Sequence, residues 1–198
     1  MARILHLREI LRSEGGSALV EFAVALPILV VFVVGIFDFG GAFNEKQKIA
    51  QAAQAGAIAA AAQPTSDIDS TNANPTSLQP VVNAVFNSLT GSGVFASGAC
   101  TPPGTVTQPG NALTWSYKIT GCNPAYSTDP LIITINRGWA CSTGAACSSA
   151  PPVSIGSTVS VQYTYHWRFN SVIQLIIPGA TYATTTNLLE TATVHNQT

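Results

Sequence analysis

The sequence contains few charged residues. Only 9% of its 198 residues are Asp, Glu, Lys or Arg, whereas about a quarter is usual for a soluble protein. The eight Lys and Arg residues are scattered along the chain and form no basic patch, which excludes a nucleic-acid partner bound through its phosphates. Disorder of the charge-rich kind is excluded as well. Ser, Thr, Asn and Gln must therefore solvate much of the surface.

Sequence motifs of catalysis are also missing. The chain has no GxSxG, P-loop, GxGxxG or HExxH pattern. His166 falls on the polar face of a predicted strand and is expected to be a solvated surface residue, and the sequence gives no way to pair Asp129 with Glu190. Asp67 and Asp69 form a D-x-D pair without the Gly and Glu of a calcium loop. The sequence therefore predicts no enzyme activity, cofactor, metal site or small-molecule substrate.

Cysteine is absent from the first half of the chain. The four cysteines, Cys100, Cys122, Cys141 and Cys147, all follow the long apolar run described next. An even number of cysteines, all on one side of this run, is typical of an oxidising compartment. Four buried thiols are the alternative. No CxxC occurs, so a zinc site is disfavoured. Four cysteines allow three pairings, of which we expect Cys100–Cys122 and Cys141–Cys147, the neighbours in sequence.

One long apolar run dominates the N-terminal part of the chain. Phe22–Phe37 contains no charge and is flanked by Glu21 and Asp38. These two acids would lie about 25 Å apart on a helix, close to the hydrocarbon thickness of about 30 Å. The window Ser17–Phe43 therefore predicts a single membrane span. A cleaved secretory signal fits less well, because its apolar core is normally about 7–15 residues.

The residues that flank this run indicate its orientation. Three arginines precede it, at Arg3, Arg8 and Arg12. Because Lys and Arg are enriched on the cytoplasmic side of membrane spans, the N-terminus is expected in the cytoplasm and the rest of the chain outside it. Lys46 and Lys48 on the far side reduce the contrast.

The predicted organisation has four parts. Residues 1–16 are a leader-like cytoplasmic tail, residues 17–62 one long transmembrane and extended helix, residues 63–77 a polar linker, and residues 78–198 an exported α+β domain. The outer half of the long helix carries small residues at four-residue spacing, which either admit another backbone or only raise helix propensity. These rows are Ala52, Gly56, Ala60 and Ala53, Ala57, Ala61.

The C-terminal part predicts a short helix followed by strands. Apolar residues recur at helical spacing from Leu78 to Leu89, and Gly91 follows as a stop signal. Residues 91–110 are expected to be loop. Strands are predicted over residues 112–120, 131–137 and 184–195, and the clearest alternation runs from Thr158 to Phe169. The fold class is therefore α+β, with a long N-terminal transmembrane helix, a small helix and an antiparallel β-sheet.

The N-terminal segment Gly15–Ala61 resembles the TadE-like family, pilin-related proteins of bacterial tight-adherence (Flp) pilus systems. The similarity rests on small residues followed by V-E-F-A at residues 20–23, an early Pro27, then G-I-x-[DE]-x-G at residues 35–40 and an Ala-rich helix. A strand of V-x-V-x-Y form at residues 159–163 also resembles the family.

This resemblance implies a processed, pilin-like subunit. A prepilin peptidase would cut after a glycine, and only a cut between Gly16 and Ser17 makes Glu21 the fifth residue, followed by Phe22. Glu21 would then neutralise the free amine of an incoming subunit, although an interfacial acid that reaches headgroup water is the alternative. The implied partners are membrane lipid, other pilin-like subunits, the pilus assembly machinery and the peptidase. The implied location is the bacterial inner membrane, with the C-terminal domain periplasmic or extracellular.

Three hypotheses about function follow. The first is a non-enzymatic pilin-like (pseudopilin) component that takes part in assembly of a tight-adherence pilus. The alternative is an extracytoplasmic binding or adhesion module held by a signal anchor. The third is an anchored envelope enzyme. N-terminal processing separates the first from the others, since only the first predicts a chain that starts at Ser17.

Overall fold

The computed structural model of the chain describes residues 14–69, 71–107, 113–138, 156–168, 179 and 184–197. Its contacts divide the chain into two compact units, one of residues 1–41 and 167–184 and one of residues 42–166 and 185–198. The elements confirm the α+β class with a long N-terminal helix, a short helix and an antiparallel sheet. The described part of the predicted leader-like tail, residues 14–16, is helical.

The first element, α1, is a single helix from Glu14 to Ala61 that contains Pro27. It ends just before Gln63-Pro64, because the residue before a proline is pushed out of the helical region. A 3-10 turn, Thr76–Leu78, leads into the second helix, α2, which spans Gln79–Gly91. Its proline in the first turn and its end at Gly91 agree with the helical spacing and the stop signal in the sequence.

Five strands form one antiparallel sheet in the order of the chain, β1-β2-β3-β4-β5. They are β1 Thr105–Thr107, β2 Thr114–Ile119, β3 Leu131–Asn136, β4 Gly156–His166 and β5 Thr185–His195. Each strand pairs with its neighbours in sequence, so the sheet is a meander. The four predicted strands are present where the structure describes them.

The expectation of loop throughout residues 91–110 is wrong at β1. Three residues are too few for an alternating pattern to stand out in the sequence, and β1 forms because it pairs with β2. Gly104 precedes it with φ +68°, and a Cβ there would lie 2.4 Å from the Lys118 carbonyl oxygen. A glycine is therefore required where the chain enters this edge strand.

The inner face of the sheet packs against α1 and α2. Along β4 the residues Val159, Val161, Tyr163 and Tyr165 are buried in alternation, as the sequence predicts. Trp115 from β2 and Leu89 from α2 belong to the same core. The sequence predicts alternation as far as Phe169, but β4 ends at His166, and Trp167 lies outside the strand.

The small residues of α1 are part of this core. Ala52, Ala53, Ala57 and Ala60 are fully buried. A Cβ on Gly56 would lie 2.4 Å from Val85 Cγ2 and 3.0 Å from Val159 Cγ1. The close approach that such rows permit is therefore made within the chain, to its own sheet and α2.

The opposite face of the sheet is polar but almost uncharged. Hydroxyls pair across neighbouring strands: Ser160 with Thr191 at 2.8 Å, Thr158 with Thr193 at 3.1 Å and Ser116 with Thr134 at 3.4 Å. Such cross-strand pairs stabilise a sheet. In a chain with only 9% charged residues, hydroxyl groups thus supply the polar surface of this face.

Candidate assembly site

The first part of α1 is the candidate membrane segment. Within the described residues, one helix is long and apolar enough to cross a membrane, and the 18-residue window that qualifies has a mean hydropathy of 2.7 and no buried residue. Large apolar side chains are exposed along it, among them Phe22, Phe32 and Ile36. An apolar surface of this kind needs lipid or another apolar partner. The helix suggests a membrane anchor.

The predicted processing and assembly residues lie together at the start of α1. The Ser17 hydroxyl donates a hydrogen bond to a Glu21 carboxylate oxygen, 3.3 Å away and one helical turn on. Gly16, Ser17, Glu21 and Phe22 are all exposed. A Cβ on Gly16 would meet no atom within 4 Å, so the folded chain itself does not require glycine there.

Asp38 closes the apolar run, and the structure gives it a defined environment. Its side chain is only 3% exposed, and one carboxylate oxygen accepts a hydrogen bond from the backbone N–H of Arg168 at 3.2 Å. Next to it, the rings of Phe39 and Trp167 meet edge to face with centroids 5.3 Å apart. The sequence marks Asp38 only as the end of a span. Because Arg168 lies 130 residues away in sequence, no local pattern predicts this contact.

Two of the four cysteines are described. Cys100 and Cys122 form a disulfide, the first of the two pairings expected from sequence. It joins the loop before β1 to the loop after β2, and both cysteines belong to the hydrophobic core. Cys141 and Cys147 lie outside the described residues, so their pairing remains a prediction.

Arg137 is the most deeply buried charged residue in the described part of the chain. Its guanidinium donates to the carbonyl oxygens of Ala60, Gln63 and Pro64 and to the Ser157 hydroxyl. Burial lowers the pKa of Arg137, against the opposing effect of the nearby Asp67 charge. The guanidinium thus binds one carbonyl oxygen in the last turn of α1 and two more in the segment that follows this helix. Sequence analysis missed this role.

Asp67 organises the segment between the two helices. Its carboxylate accepts hydrogen bonds from the Ser77 backbone N–H at 2.8 Å and the Thr76 hydroxyl at 3.2 Å. Burial raises the pKa of Asp67, but these bonds outweigh it and leave the pKa lowered. The carboxylate thus holds the start of the 3-10 turn. Ile68 beside it is buried in the core.

The remaining acids of the C-terminal part pair with bases. The Asp129 carboxylate contacts the His166 imidazole, and the Tyr126 ring stacks on that imidazole with centroids 3.3 Å apart. Glu190 lies 3.2 Å from the Lys46 ammonium. The expectation of a solvated His166 is therefore corrected, because Asp129 and Tyr126 enclose it. Among the described residues, no three His, Cys, Asp or Glu side chains converge as metal ligands.

Comparison with known families finds a match in the N-terminal segment. Residues 16–57 match the family described as TadE-like protein, which confirms the resemblance seen in the sequence. The match suggests involvement in tight-adherence pilus systems, whose TadE-like members are generally non-enzymatic. No curated protein and no solved structure matches the chain.

Proposed function

We propose that this chain is a non-enzymatic, pilin-like (pseudopilin) component that takes part in assembly of a tight-adherence pilus. One observation carries the proposal: the family match at residues 16–57 falls on the helix that is long and apolar enough to cross a membrane. The apolar part of α1 is its anchor in the bacterial inner membrane. Other pilin-like subunits and the assembly machinery are its partners.

The arginines before the span support a cytoplasmic N-terminus, with residues 78–198 on the other side as the exported domain. Residues 1–16 are then a leader, and residues 63–77 connect the long helix to the exported domain. A prepilin peptidase cuts between Gly16 and Ser17. The product begins with a free amine on Ser17, and Glu21 becomes its fifth residue.

Glu21 acts in assembly through its charge. A carboxylate in the middle of a bilayer costs about 2.5–3.5 kcal/mol, and less near the interface. The exposed Glu21 carboxylate is stabilised when the Ser17 ammonium group of an incoming subunit approaches it. Because the two groups must meet, their pairing fixes the axial offset between neighbouring helices.

Replacement of Glu21 tests this role. Glu21→Ala and Glu21→Gln should both insert into the membrane at least as well as the unaltered chain, because each removes a charge from the apolar segment. Both should reduce the number of pili per cell, counted by electron microscopy, while membrane fractionation checks insertion.

Ser17→Ala is the matched control. It removes the hydroxyl that bonds to Glu21 but keeps the amine that processing creates, so pilus numbers should stay near those of the unaltered chain. Normal pili in both Glu21 variants would show that charge neutralisation is not the role of this residue.

A further inference from the structure

The segment that follows β4 meets α1 at the end of the apolar run. Asp38 is the first charged residue after Phe22–Phe37, and its buried carboxylate accepts the backbone N–H of Arg168. By their contacts, residues 167–184 group with residues 1–41. Trp167 and Arg168, which follow β4, therefore contact the anchor helix at this level.

Trp167 is fixed there by its ring and by its backbone. The ring packs edge to face on Phe39, with a centroid distance of 5.3 Å and an interplanar angle of 66°. Its backbone N–H donates to the Thr184 carbonyl oxygen at 3.1 Å. The indole is partly exposed, so it has a surface available for a further contact.

The surroundings of Trp167 favour lipid as that contact. Ile36, Phe37 and Phe39 are 71%, 69% and 62% exposed, and they place exposed apolar surface on both sides of Asp38 in the sequence. Charged side chains are costly inside the hydrocarbon core, so the first charged residue after such a run places the membrane–water boundary near it. Tryptophan is enriched at this boundary, because its ring is apolar and its N–H can reach polar headgroups.

We infer that Trp167, held on Phe39 beside Asp38, lies in the interfacial layer of the bilayer and gives the chain a second contact with lipid. This inference rests on the proposed anchoring by α1. It also sets the depth of the anchor. With Asp38 at one boundary, Glu21 lies about 25 Å away along the helix, within about 5 Å of the other boundary of a core about 30 Å thick.

Fluorescence quenching by brominated lipids tests the position of Trp167. The full-length chain is reconstituted into phosphatidylcholine vesicles brominated either near the headgroup or deep in the acyl chains. The unaltered chain should lose more emission with the shallow bromines, and Trp167→Phe should abolish most of that difference. An unchanged difference in Trp167→Phe would overturn the inference.

Trp115→Phe is the matched control. Trp115 is fully buried in the protein core, so its replacement should leave the quenched component unchanged. Quenching of Trp167 should also be independent of the protein-to-lipid ratio. If it disappears as the ratio rises, a second copy covers Trp167 and the assignment to lipid is wrong.

Resistance to alkaline extraction separates this inference from the proposed function. A chain that is extracted from the vesicles has no anchor, which contradicts the proposed function. A chain that resists extraction but shows no quenching of Trp167 contradicts only the inference drawn from the Phe39–Trp167 contact.

Discussion

At the scale of single residues, a buried cation holds the end of α1. Arg137 contacts three carbonyl oxygens that follow one another closely at the end of this helix, and also Ser157 on β4. The planar guanidinium suits this role, because its donors point in several fixed directions at once. One side chain, just after the end of β3, thus connects the end of α1 to β4.

Replacement of Arg137 should strongly destabilise this region. Arg137→Met removes the hydrogen bonds of the guanidinium to the Ala60 and Gln63 carbonyl oxygens and to the Ser157 hydroxyl. A hydrogen bond to a charged group contributes about 1.5–3 kcal/mol, so we expect a total loss of about 3 kcal/mol or more. Arg137→Lys should not restore stability, because an ammonium cannot reach the same set of acceptors. Urea unfolding of the full-length chain in detergent, followed by tryptophan fluorescence, measures both effects.

Lys118→Met provides the control for loss of a positive charge. Lys118 is exposed on the sheet, so its replacement should change the unfolding free energy by less than about 0.5 kcal/mol. Similar losses for Lys118→Met and Arg137→Met would show that the carbonyl contacts of Arg137 contribute little.

Gly16 should be required for processing and not for folding. Gly16→Val should block cleavage, because a peptidase groove that accepts the chain beside glycine has no room for a branched side chain. The folded chain has open space at this position. Intact-mass measurement on membrane-extracted protein should therefore show a chain starting at Ser17 for the unaltered sequence and an unprocessed chain for the variant.

Gly15→Val distinguishes between the two possible cuts. A cut after Gly16 should still occur in this variant, again giving a chain that starts at Ser17. If Gly15→Val blocks processing while Gly16→Val does not, the cut follows Gly15 and Glu21 is not the fifth residue.

The processing residues and Arg137 differ in how far the sequence predicts their surroundings. Gly16, Ser17 and Glu21 lie within six residues of one another, so their arrangement on the first turns of α1 follows from helix geometry. The contact of Arg137 with Ala60 spans 77 residues. Only the tertiary fold brings such groups together, and no local periodicity indicates it.

At the scale of elements, the close packing of α1 on the sheet depends on one glycine. Gly56 faces Val85 of α2 and Val159 of β4 at distances that leave no room for a methyl group. The sequence predicts a surface of small residues but not its partner. Alternation predicts β4 well, since one of its faces is buried, whereas the three residues of β1 are too short to show a pattern.

Gly56→Ala should destabilise the packing of α1 although alanine favours a helix. The new Cβ overlaps Val85 Cγ2, and overpacking of this kind costs about 1–3 kcal/mol, against a gain in helix propensity of about 1 kcal/mol. Adding Val85→Ala should recover part of the loss, because the overlapping methyl is gone. In a double-mutant cycle measured by thermal unfolding in detergent, the double variant should lose less stability than the sum of the losses of the two single variants.

Gly91→Ala is the matched control within the same compact unit. Its Cβ would meet no atom within 4 Å, and its φ is not in the left-handed region, so stability should be unchanged or slightly improved. Equal losses for Gly56→Ala and Gly91→Ala, or an absence of coupling between Gly56 and Val85, would contradict the close approach seen at Gly56.

At the scale of the whole molecule, the cysteines bear on the proposed location of the C-terminal part. The Cys100–Cys122 disulfide links two loops on either side of β1 and β2, across 22 residues of sequence. By the loop-entropy relation, closing a loop of this size contributes about 3 kcal/mol. Such bonds persist outside the cytoplasm, which agrees with the proposed export of residues 78–198.

We expect all four cysteines of the mature protein to be oxidised. Alkylation of the native chain without reductant should add no label, and alkylation after reduction should add four labels, both measured by mass spectrometry. Four labels without reductant would contradict both predicted pairings and the assignment of this part of the chain to an oxidising compartment.

The strand order has a consequence for export. If the part of the chain after the span is exported in sequence order, as proposed, β1 is the first strand to emerge, and every later strand finds its pairing partner already outside, because each strand follows its neighbour in sequence. Contacts of this local kind form quickly and leave few unpaired edges to aggregate. The last step is different: Gln197 donates its backbone N–H to the carbonyl oxygen of Ala61. If residues 78–198 are exported as proposed, this contact can therefore form only after residue 197 has left the channel, later than the pairing of β1 to β4.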